Sequence, residues 1–481
     1  MPRAGKKIVL VGGGSNNWTP TIVKDMLLTP AIAGSTFVLY DIDRAAADRA
    51  KAFLARLDAK FGTGSQFVST SERARAFEGA DYFIITISTG GLAAMAHDLS
   101  VPESFGIWHT VGATAGPGGW ARSIRNYLVF EALSRDINRL APGAVVLNYT
   151  NPLTVLTTVL GRLCSGPVVG LCHGLFENLE FLVKLYGLRD ESELSVSYAG
   201  VNHFFWMNRV KARGRDVLPD LLRKVRSRGF SVLRQEVDPD PPGQVSHREL
   251  ATALFDETGI LPYIGDRHTC EFFSSYITSK PAMRKYRLVR TSIQERREAF
   301  RQRARELRAM TEGEIPAEYL VRSRETAADI IAAHSTGKAF IDVGNVANVG
   351  QISNLPRGAV VETAVRVDSN GFSPICFGDL PAPVLGFVEP AVQVFETTAR
   401  ACMERDRALA FQALRMDPVC AHLDGDQVKD LGSRLLAAHS RFTEGLFRPD
   451  AAGRGARATP TARASRPDHS PRQRRRSGRS K

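Results

Sequence analysis

The chain has 481 residues, of which 43% are hydrophobic and 23% charged, a composition typical of a globular protein with a large α/β core and a second packed region. We find no run of about 18 uncharged apolar residues and no signal-peptide pattern at "MPRAGKKIVL", so we expect a cytoplasmic protein without a membrane partner. The six cysteines show no paired spacing, which argues against a disulfide scaffold and leaves any thiol free to bind a metal.

The net charge of +13 suggests nucleic-acid binding until it is located along the chain. Residues 448–481 hold 11 Lys and Arg against 2 Asp and Glu, which leaves +4 for the rest of the chain. This segment is rich in Pro, Gly, Ala, Ser and Arg and has almost no large apolar residue, so it cannot bury enough surface to fold. We therefore expect a disordered basic tail over 447–481 and no nucleic-acid partner for the body of the protein.

The first part of the chain alternates apolar runs with helix-like segments. A helix is predicted over 17–30, and buried strands are predicted over 6–12, 35–43, 80–88, 143–152 and 166–172. Strands that alternate with helices form a parallel sheet with helices on both faces. Residues 5–195 are thus predicted to form a doubly wound α/β domain.

After about residue 195 the pattern becomes mixed α+β. "SVSYAGVNHFFWMNRV" predicts a pair of longer strands, and the segment 358–378 has the alternation and the Asn-Gly turn of a hairpin. Helices are predicted over 220–235, 286–312 and 390–445. We expect this second domain, 196–446, to complete a site at the carboxyl edge of the sheet.

The segment "VGGGSNNWTP" lies between a predicted strand and a predicted helix, where dinucleotide-binding proteins have their phosphate-binding turn. Three glycines let the backbone approach a pyrophosphate, and the helix adds the partial positive charge of its N-terminus. Asp41 ends the second strand, later than the usual ~20 residues, and its carboxylate favours NAD over NADP, although Arg44 lies nearby. The alternative is a tight turn without a ligand. The candidate cofactor-binding residues are Gly12, Gly13, Gly14, Ser15 and Asp41.

Four further segments carry polar residues at the ends of apolar strands: "NYTNP" (148–152), "VGLCHG" (169–174), "GVNHFFWM" (200–207) and "IGDRHTCEFF" (264–273). The adjacent thiol and imidazole of "VGLCHG" fit a metal site, a nucleophile with its base, or a buried core thiol. Asn148 and Asn151 fit either hydrogen bonds to a substrate or Asx-type capping of a turn. Arg122 and Arg267 fit a cationic lining that favours a substrate carboxylate, or surface arginines paired with acids.

Together and in this order, these motifs resemble those of the NAD- and divalent-metal-dependent glycosidases of glycoside hydrolase family 4. The resemblance runs from Lys7 to about Leu446 and rests on "KIVLVGGGS", "LYDID", "NYTNP", "GLCHG", "GVNHFFW" and "NVANVGQISNLPRGAVVE" (345–362). It implies a Rossmann-type fold like that of lactate and malate dehydrogenases, with NAD and Mn²⁺ or another divalent metal as cofactors. It also implies a carbohydrate substrate and a homodimer or homotetramer.

The resemblance implies that Cys172 and His203 coordinate the metal, with sugar hydroxyls at the other positions. NAD then takes a hydride from C3, a base removes the proton at C2, the leaving group departs from C1, water adds, and the hydride returns to C3. Asp266 is the favoured base and Tyr263 the alternative. Asp266 could instead cap a helix or pair with an arginine.

His173 stands where the 6-phospho-α-glucosidases of the family carry an aspartate thought to protonate the leaving group. It is therefore the candidate acid, since imidazole titrates near neutrality, or it shapes the sugar pocket. This departure weakens any assignment to 6-phosphosugars. The candidate substrate-binding residues are Asn148, Asn151, Asn202, Arg122 and Arg267.

The sequence thus predicts a hydrolase of α-glycosides, with α-galacturonides or α-glucuronides preferred over α-glucosides or α-galactosides. Two alternatives stay open. The first is an NAD-dependent 2-hydroxy-acid dehydrogenase, which would not need a metal. The second is a non-catalytic NAD-binding regulator whose basic tail binds nucleic acid.

Overall fold

The computed structural model describes residues 5–229 and 247–447. Thirteen strands in these residues belong to one sheet. They are β1 (Lys7–Val11), β2 (Thr36–Tyr40), β3 (Gln66–Thr70), β4 (Tyr82–Ile85), β5 (Val145–Asn148), β6 (Val168–Gly170), β7 (Leu194–Val201), β8 (Phe204–Ala212), β9 (Arg215–Asp216), β10 (Leu261–Pro262), β11 (Phe340–Ala347), β12 (Val360–Asp368) and β13 (Gly371–Pro374).

The five strands predicted for the first part of the chain are present, each a few residues shorter than its apolar run. Together with β3, which was not predicted, these five strands pair in parallel in the order β3-β2-β1-β4-β5-β6. This is the order of a Rossmann sheet, whose ligands bind where the order reverses, between β1 and β4. The expected doubly wound fold is confirmed, and the sequence missed only β3, a short strand whose first half is partly exposed.

The later strands continue the same sheet in antiparallel fashion, in the order β6-β11-β12-β7-β8-β10. The predicted long pair is β7 and β8, and the predicted hairpin is β12 and β13, whose turn ends at Gly371 with φ +100°. The predicted domain boundary at residue 195 falls inside β7. The predicted basic tail lies outside the described residues beyond Phe447.

Eighteen α-helices occur in the part of the chain that the structure describes. They are α1 (Trp18–Leu27), α2 (Arg44–Phe61), α3 (Arg73–Phe77), α4 (Gly91–Glu103), α5 (Gly116–Leu140), α6 (Leu153–Leu163), α7 (Gly174–Leu185), α8 (Leu218–Arg228), α9 (Glu249–Thr258), α10 (Asp266–Thr269), α11 (Ser274–Ile277), α12 (Lys280–Lys285), α13 (Ile293–Glu312), α14 (Ala327–Thr336), α15 (Ala382–Glu404), α16 (Arg407–Met416), α17 (Gly425–Ala438) and α18 (Ser440–Thr443).

Helix ends explain where the predicted helices differ from the observed ones. The helix predicted over 286–312 begins only at Ile293, because Ser292 and Glu295 form a capping box there. The segment 390–445 is four helices, because Asp406 and Asp424 each cap a new helix start. Of the helix predicted over 220–235, residues 230–235 lie outside the described residues.

The two faces of the sheet bury different residues of the same strand, as a period of two requires. Ile8 and Leu10 of β1 pack in one cluster with α1, α2 and α14. Val9 and Val11 pack in the other with α5, α6 and α15. No helix among the described residues is both long and apolar enough to cross a bilayer.

Candidate active site

The parallel strands β1, β4, β5 and β6 end at one edge of the sheet, and the segments that follow them line a cavity of about 450 Å³. Side chains of the second half of the chain line its other walls. Within the described residues no Asp or Glu lines this cavity. Its cationic or imidazole residues are Arg122, Arg267, Arg296, Arg303, His173, His203 and His268.

Cys172 and His203 meet in this cavity although 31 residues separate them. Cys172 follows β6, His203 lies in the turn between β7 and β8, and Sγ is 3.2 Å from Nε2. His203 has φ +63°, which is a left-handed conformation. Non-glycine residues keep this conformation only where the surrounding structure holds them in it, and such residues cluster at functional sites. The predicted pair of metal ligands is therefore brought together.

The electrostatics of this pair suit a divalent ion. Burial, with repulsion from His173, lowers the pKa of His203 to about 3, so its imidazole is neutral. Nδ1 shares a 2.9 Å hydrogen bond with Thr114 Oγ1, and in the tautomer in which Nδ1 donates this bond the Nε2 lone pair faces Sγ. Burial also raises the pKa of Cys172 far above its usual range, so only a cation at Sγ would favour the thiolate. A thiolate and an imidazole fit Zn²⁺ or Mn²⁺ with positions left for ligand oxygens.

Thr114 is held in place by a buried carboxylate that the sequence did not indicate. Glu271 Oε1 accepts hydrogen bonds from the backbone N–H groups of Val111 at 2.8 Å and Gly112 at 2.7 Å, and lies 3.1 Å from His109 Nδ1. These contacts fix the loop that ends at Thr114. The only available signal was a single charged residue in the apolar run of "TCEFF".

Asp266, the favoured base, does not line the cavity. Its oxygens accept hydrogen bonds from the N–H groups of Leu250 at 3.1 Å and Ala251 at 2.9 Å, in the first turn of α9. Burial nevertheless raises the pKa of Asp266 to about 7. The carboxylate thus has the helix-capping contacts that were the alternative interpretation of this residue.

Tyr263, the second candidate base, does not line the cavity either, but its ring lies near the metal-ligand pair. Its ring centroid is 5.9 Å from that of His203, and a Cβ added at Gly174 would lie 3.3 Å from its ring and 3.7 Å from Cys172 Sγ. Its hydroxyl donates a 3.0 Å hydrogen bond to Glu177 Oε2. Burial and Glu177 hold the pKa of Tyr263 well above its usual range, so the phenol keeps its proton in this arrangement.

His173, the candidate acid, lines the cavity next to Cys172. Its side chain is 52% exposed, and Nδ1 is 3.7 Å from Glu325 Oε1. The Trp18 ring lies 6.1 Å away, centroid to centroid. An imidazole that contacts both a carboxylate and the cavity can hold a proton and deliver it there.

The glycine turn has the close approaches that its sequence predicts. Gly12 has φ +92°, and a Cβ at Gly13 would lie 2.6 Å from Leu39 Cα, so this turn tolerates no side chain. Gly14 N–H donates to Asp41 Oδ2 at 2.8 Å. Ser15 Oγ accepts from the N–H of Trp18 at 3.1 Å, and Ser15 lines the cavity.

Asp41 holds its carboxylate at the end of β2, as an NAD-binding carboxylate must be held. Its second oxygen accepts from the N–H of Asp43 at 2.9 Å. Arg44, which raised the possibility of NADP, pairs instead with Asp48 at 3.0 Å. The local charges therefore fit NAD.

The candidate substrate-binding residues divide into two groups. Arg122, Arg267 and Asn151 line the cavity, and the Asn151 carbonyl accepts a 3.0 Å hydrogen bond from Arg122 Nε. Asn148 is buried, and its Oδ1 accepts from the N–H of Thr150 at 2.9 Å, which is the Asx-type turn. Asn202 is also buried and donates to a carboxylate behind the cavity.

One wall of the cavity was missed by the sequence analysis. Arg296, Phe300 and Arg303 of α13 line it, and Phe300 is 55% exposed. Their i, i+4, i+7 spacing places them on one helix face. The available signal was a lone phenylalanine between arginines in an otherwise polar helix.

Comparison with known proteins identifies the group to which this arrangement is similar. Residues 7–188 match the profile of family 4 glycosyl hydrolases, and residues 198–420 match that of the family's C-terminal domain. The α-galacturonidase of Bacillus subtilis is 32% identical over 440 residues, which cover 89% of this chain and 96% of that protein.

Two solved structures share the fold. The crystal structure of a Bacillus subtilis protein described as a glucosidase has a TM-score of 0.82 and 29% identity, covering 90% of this chain and all of that one. The 6-phospho-β-glucosidase of Thermotoga maritima, solved with manganese, NAD⁺ and glucose-6-phosphate, has a TM-score of 0.75 and 23% identity, covering 91% of this chain and 99% of that one.

Proposed function

The chain belongs to family 4 of the glycosyl hydrolases, and from that premise we propose that it hydrolyses α-glycosidic bonds of uronides, α-galacturonides first, with NAD and Mn²⁺ as cofactors. The contact of Cys172 Sγ with His203 Nε2 at 3.2 Å, inside a cavity that also reaches Ser15 of the glycine turn, is the observation that carries this proposal. A metal-independent 2-hydroxy-acid dehydrogenase or a non-catalytic NAD-binding regulator would not need a metal-binding cysteine and histidine at this position.

The residues divide the work as follows. Cys172 and His203 would hold the divalent ion, and Gly12, Gly13, Gly14, Ser15 and Asp41 would hold NAD. Bound there, NAD supplies a hydride acceptor for C3 of the sugar, and the ion supplies Lewis-acid stabilisation of adjacent oxygens. Thr114 keeps the imidazole in the tautomer whose Nε2 is free.

Proton transfer in this proposal uses groups on either side of Cys172. His173 would donate a proton to the departing oxygen, with Glu325 as its partner at 3.7 Å. Tyr263 is favoured as the base at C2 by its position near His203. In that role its own proton would first pass to Glu177 Oε2, because the raised pKa otherwise keeps the phenol protonated. Asp266 is the second candidate, because its oxygens are engaged by the start of α9.

The substrate class is proposed from charge. Four arginines line the cavity without an Asp or Glu among its described lining residues, which suits a sugar that carries a carboxylate. The α-galacturonidase relative supports the same class. We also expect the protein to be cytoplasmic, because a reducing compartment keeps Cys172 available as a thiol. We expect it to form a homodimer or a homotetramer.

The test is hydrolysis of p-nitrophenyl α-D-galacturonide with NAD⁺, Mn²⁺ and a reductant. We expect p-nitrophenol release that needs both cofactors, stops with a chelator, returns with Mn²⁺ and leaves no net NADH. The β-anomer is the matched control substrate. Release without NAD⁺, or no release from any α-glycoside with both cofactors present, would contradict the proposal, and NADH accumulation with a 2-hydroxy acid would favour a dehydrogenase.

A further inference from the structure

Helix α13 buries few side chains against the rest of the protein. Leu307 is its only buried residue among those described. Ser292 and Glu295 cap its start, and Arg56 of α2 donates to the carbonyls of Thr311 and, at 2.7 Å, Gly313 at its end. One face of this helix, formed by Arg296, Phe300 and Arg303, lines the cavity.

Arg296, the first residue of this face, forms no ion pair with an acid among the described residues. Nε and Nη2 of Arg296 are buried, and neither has a hydrogen-bond partner among the described residues. Nε of Arg267 is also buried and has no hydrogen-bond partner in the described part of the chain. Burial and the adjacent charge of Arg267 lower the pKa of Arg296 to about 10. Two neighbouring guanidinium groups with unused N–H donors are costly unless an anion binds between them.

No acid in the described part of the chain forms an ion pair with Arg296. Glu271 and Glu295 oppose the lowering of the pKa of Arg296, but no ion pair joins either to Arg296 within the described part of the chain. Glu271 Oε1 is taken by the loop before Thr114, and Glu295 by the capping box. Glu271 Oε2 is buried and has no hydrogen-bond partner among the described residues, but no ion pair joins it to Arg296 there. The unused donors of Arg296 are therefore open to an anion from a ligand.

Two ligands of the cavity carry anions, a sugar carboxylate and the phosphates of NAD. Arg267 precedes His268, whose ring centroid is 4.0 Å from that of His203. Arg267 and Arg296 line the same cavity as the proposed metal pair, whereas the glycine turn and the start of α1 already offer a phosphate site. This position favours the sugar.

We propose that Arg296, together with Arg267, binds the carboxylate of the uronide substrate and so determines the preference for uronides over neutral hexosides. The inference rests on the proposed function. A guanidinium presents a planar fork of donors that matches a carboxylate in bidentate geometry. When the carboxylate is replaced by a hydroxymethyl group, the buried N–H donors of the two guanidinium groups have no anionic partner. The neutral sugar should therefore bind more weakly than the uronide.

The test compares p-nitrophenyl α-D-galacturonide with p-nitrophenyl α-D-galactoside, which differ at this group. In Arg296→Gln the ratio of the two kcat/KM values, uronide over galactoside, should fall by on the order of 100-fold. Arg297→Gln is the matched control, because Arg297 is the exposed neighbour that does not line the cavity. Arg296→Lys, which keeps the charge and loses the fork, should lie between.

Several outcomes would overturn the inference. One is a ratio that stays within about threefold of wild type in Arg296→Gln, or both substrates falling equally. Another is a weaker NAD affinity with an unchanged ratio, which would assign Arg296 to the cofactor phosphates. A wild-type enzyme that hydrolyses the galactoside and rejects the galacturonide would remove the carboxylate site and leave the glycosidase intact.

A binding measurement separates this inference from the proposed function. Galacturonic acid and galactose are titrated calorimetrically into the metal-free protein. We expect tighter binding of the acid, and loss of that difference in Arg296→Gln but not in Arg297→Gln. If wild type turns over neither glycoside, the proposed function fails, yet this result still decides the carboxylate site. Equal binding of both sugars would overturn it.

Discussion

Cys172 and His203 come together through a row of paired residues that crosses four strands. Gly170 of β6 pairs with Asn345, Asn345 with Glu362, and Glu362 with Gly200 of β7. Glu362 accepts hydrogen bonds from Asn345 at 2.8 Å and from Asn202, the residue before His203, at 3.2 Å. The end of β6 and the turn after β7 are thereby tied to one buried carboxylate.

The metal role of this pair gives a direct prediction for single residues. Cys172→Ser should lower Mn²⁺ affinity by at least about 100-fold and reduce glycosidase activity in proportion. The reason is that the substitution removes a residue that binds the metal directly, and not one that only positions a ligand. Metal content after dialysis and activity against added Mn²⁺ measure both effects. Cys376→Ser, a change at an exposed thiol far from the lining, is the control. Full metal content and activity in Cys172→Ser would contradict the assignment.

Single residues differ in how far the sequence could predict them. Cys172, His203 and the three glycines stand in short motifs, so the motifs were enough. Thr114 reaches His203 from a loop, and Arg296 reaches the cavity from a helix, and no local pattern connects either segment to the site. The Asx-type turn of Asn148 is a local contact with the N–H of Thr150, and the sequence offered it as an alternative. The partners of Asp266 are backbone N–H groups 15 and 16 residues away, which only the folded chain brings near.

Helix α9 illustrates the same limit at the scale of an element. Its own N-cap residue, Arg248, has φ +57° and provides no side-chain cap. The cap comes instead from Asp266, 16 residues from Leu250, at the start of α10. A cap supplied from another element leaves no trace in local sequence, whereas the caps of α16 and α17 could be read from Asp406 and Asp424.

Burial of the Asp266 carboxyl group predicts a pH dependence of stability. Its pKa is raised from 3.8 to about 7 in the folded protein, so the folded state binds a proton that the unfolded state has lost between these values. The contribution is present below about pH 4 and is lost as the pH rises through about 7. The free energy of unfolding of Asp266→Asn should therefore fall less than that of wild type between pH 5 and pH 8, by about 2 kcal/mol.

Urea denaturation at the two pH values measures this difference. Tyr263→Phe is the matched variant, because its phenol is equally buried and it should keep the wild-type pH dependence of stability while losing glycosidase activity. An Asp266→Asn variant with the wild-type pH dependence would show that the carboxylate is not held as the structure indicates. Loss of activity in Asp266→Asn at unchanged stability would return it to the role of base.

For the molecule as a whole, the sequence predicted more of the fold than of the site. Alternating apolar runs indicated the parallel half of the sheet, and the family resemblance inferred from six motifs is confirmed by two profile matches. The antiparallel half depends on non-local pairing such as β6 with β11, over 170 residues apart in sequence, which periodicity cannot reveal. The position of α13 over the cavity is tertiary in the same way.

The charge of the whole chain also differs from the charge that matters at the site. The net +13 is concentrated in 448–481, outside the described residues, whereas the cavity owes its cationic character to four arginines of the folded body. Overall charge therefore says little about the substrate, and the local excess of unpaired guanidinium groups says more.

Hydrolysis of the α-galacturonide in D₂O by the complete enzyme with NAD⁺ and Mn²⁺ tests the central claim most directly. Oxidation at C3 makes the C2 hydrogen acidic, so a base that exchanges with solvent should leave deuterium at C2 of the released galacturonic acid, as NMR of the product measures. Deuterium at C2 in wild type is the predicted result. Complete hydrolysis with only protium at C2 would contradict it.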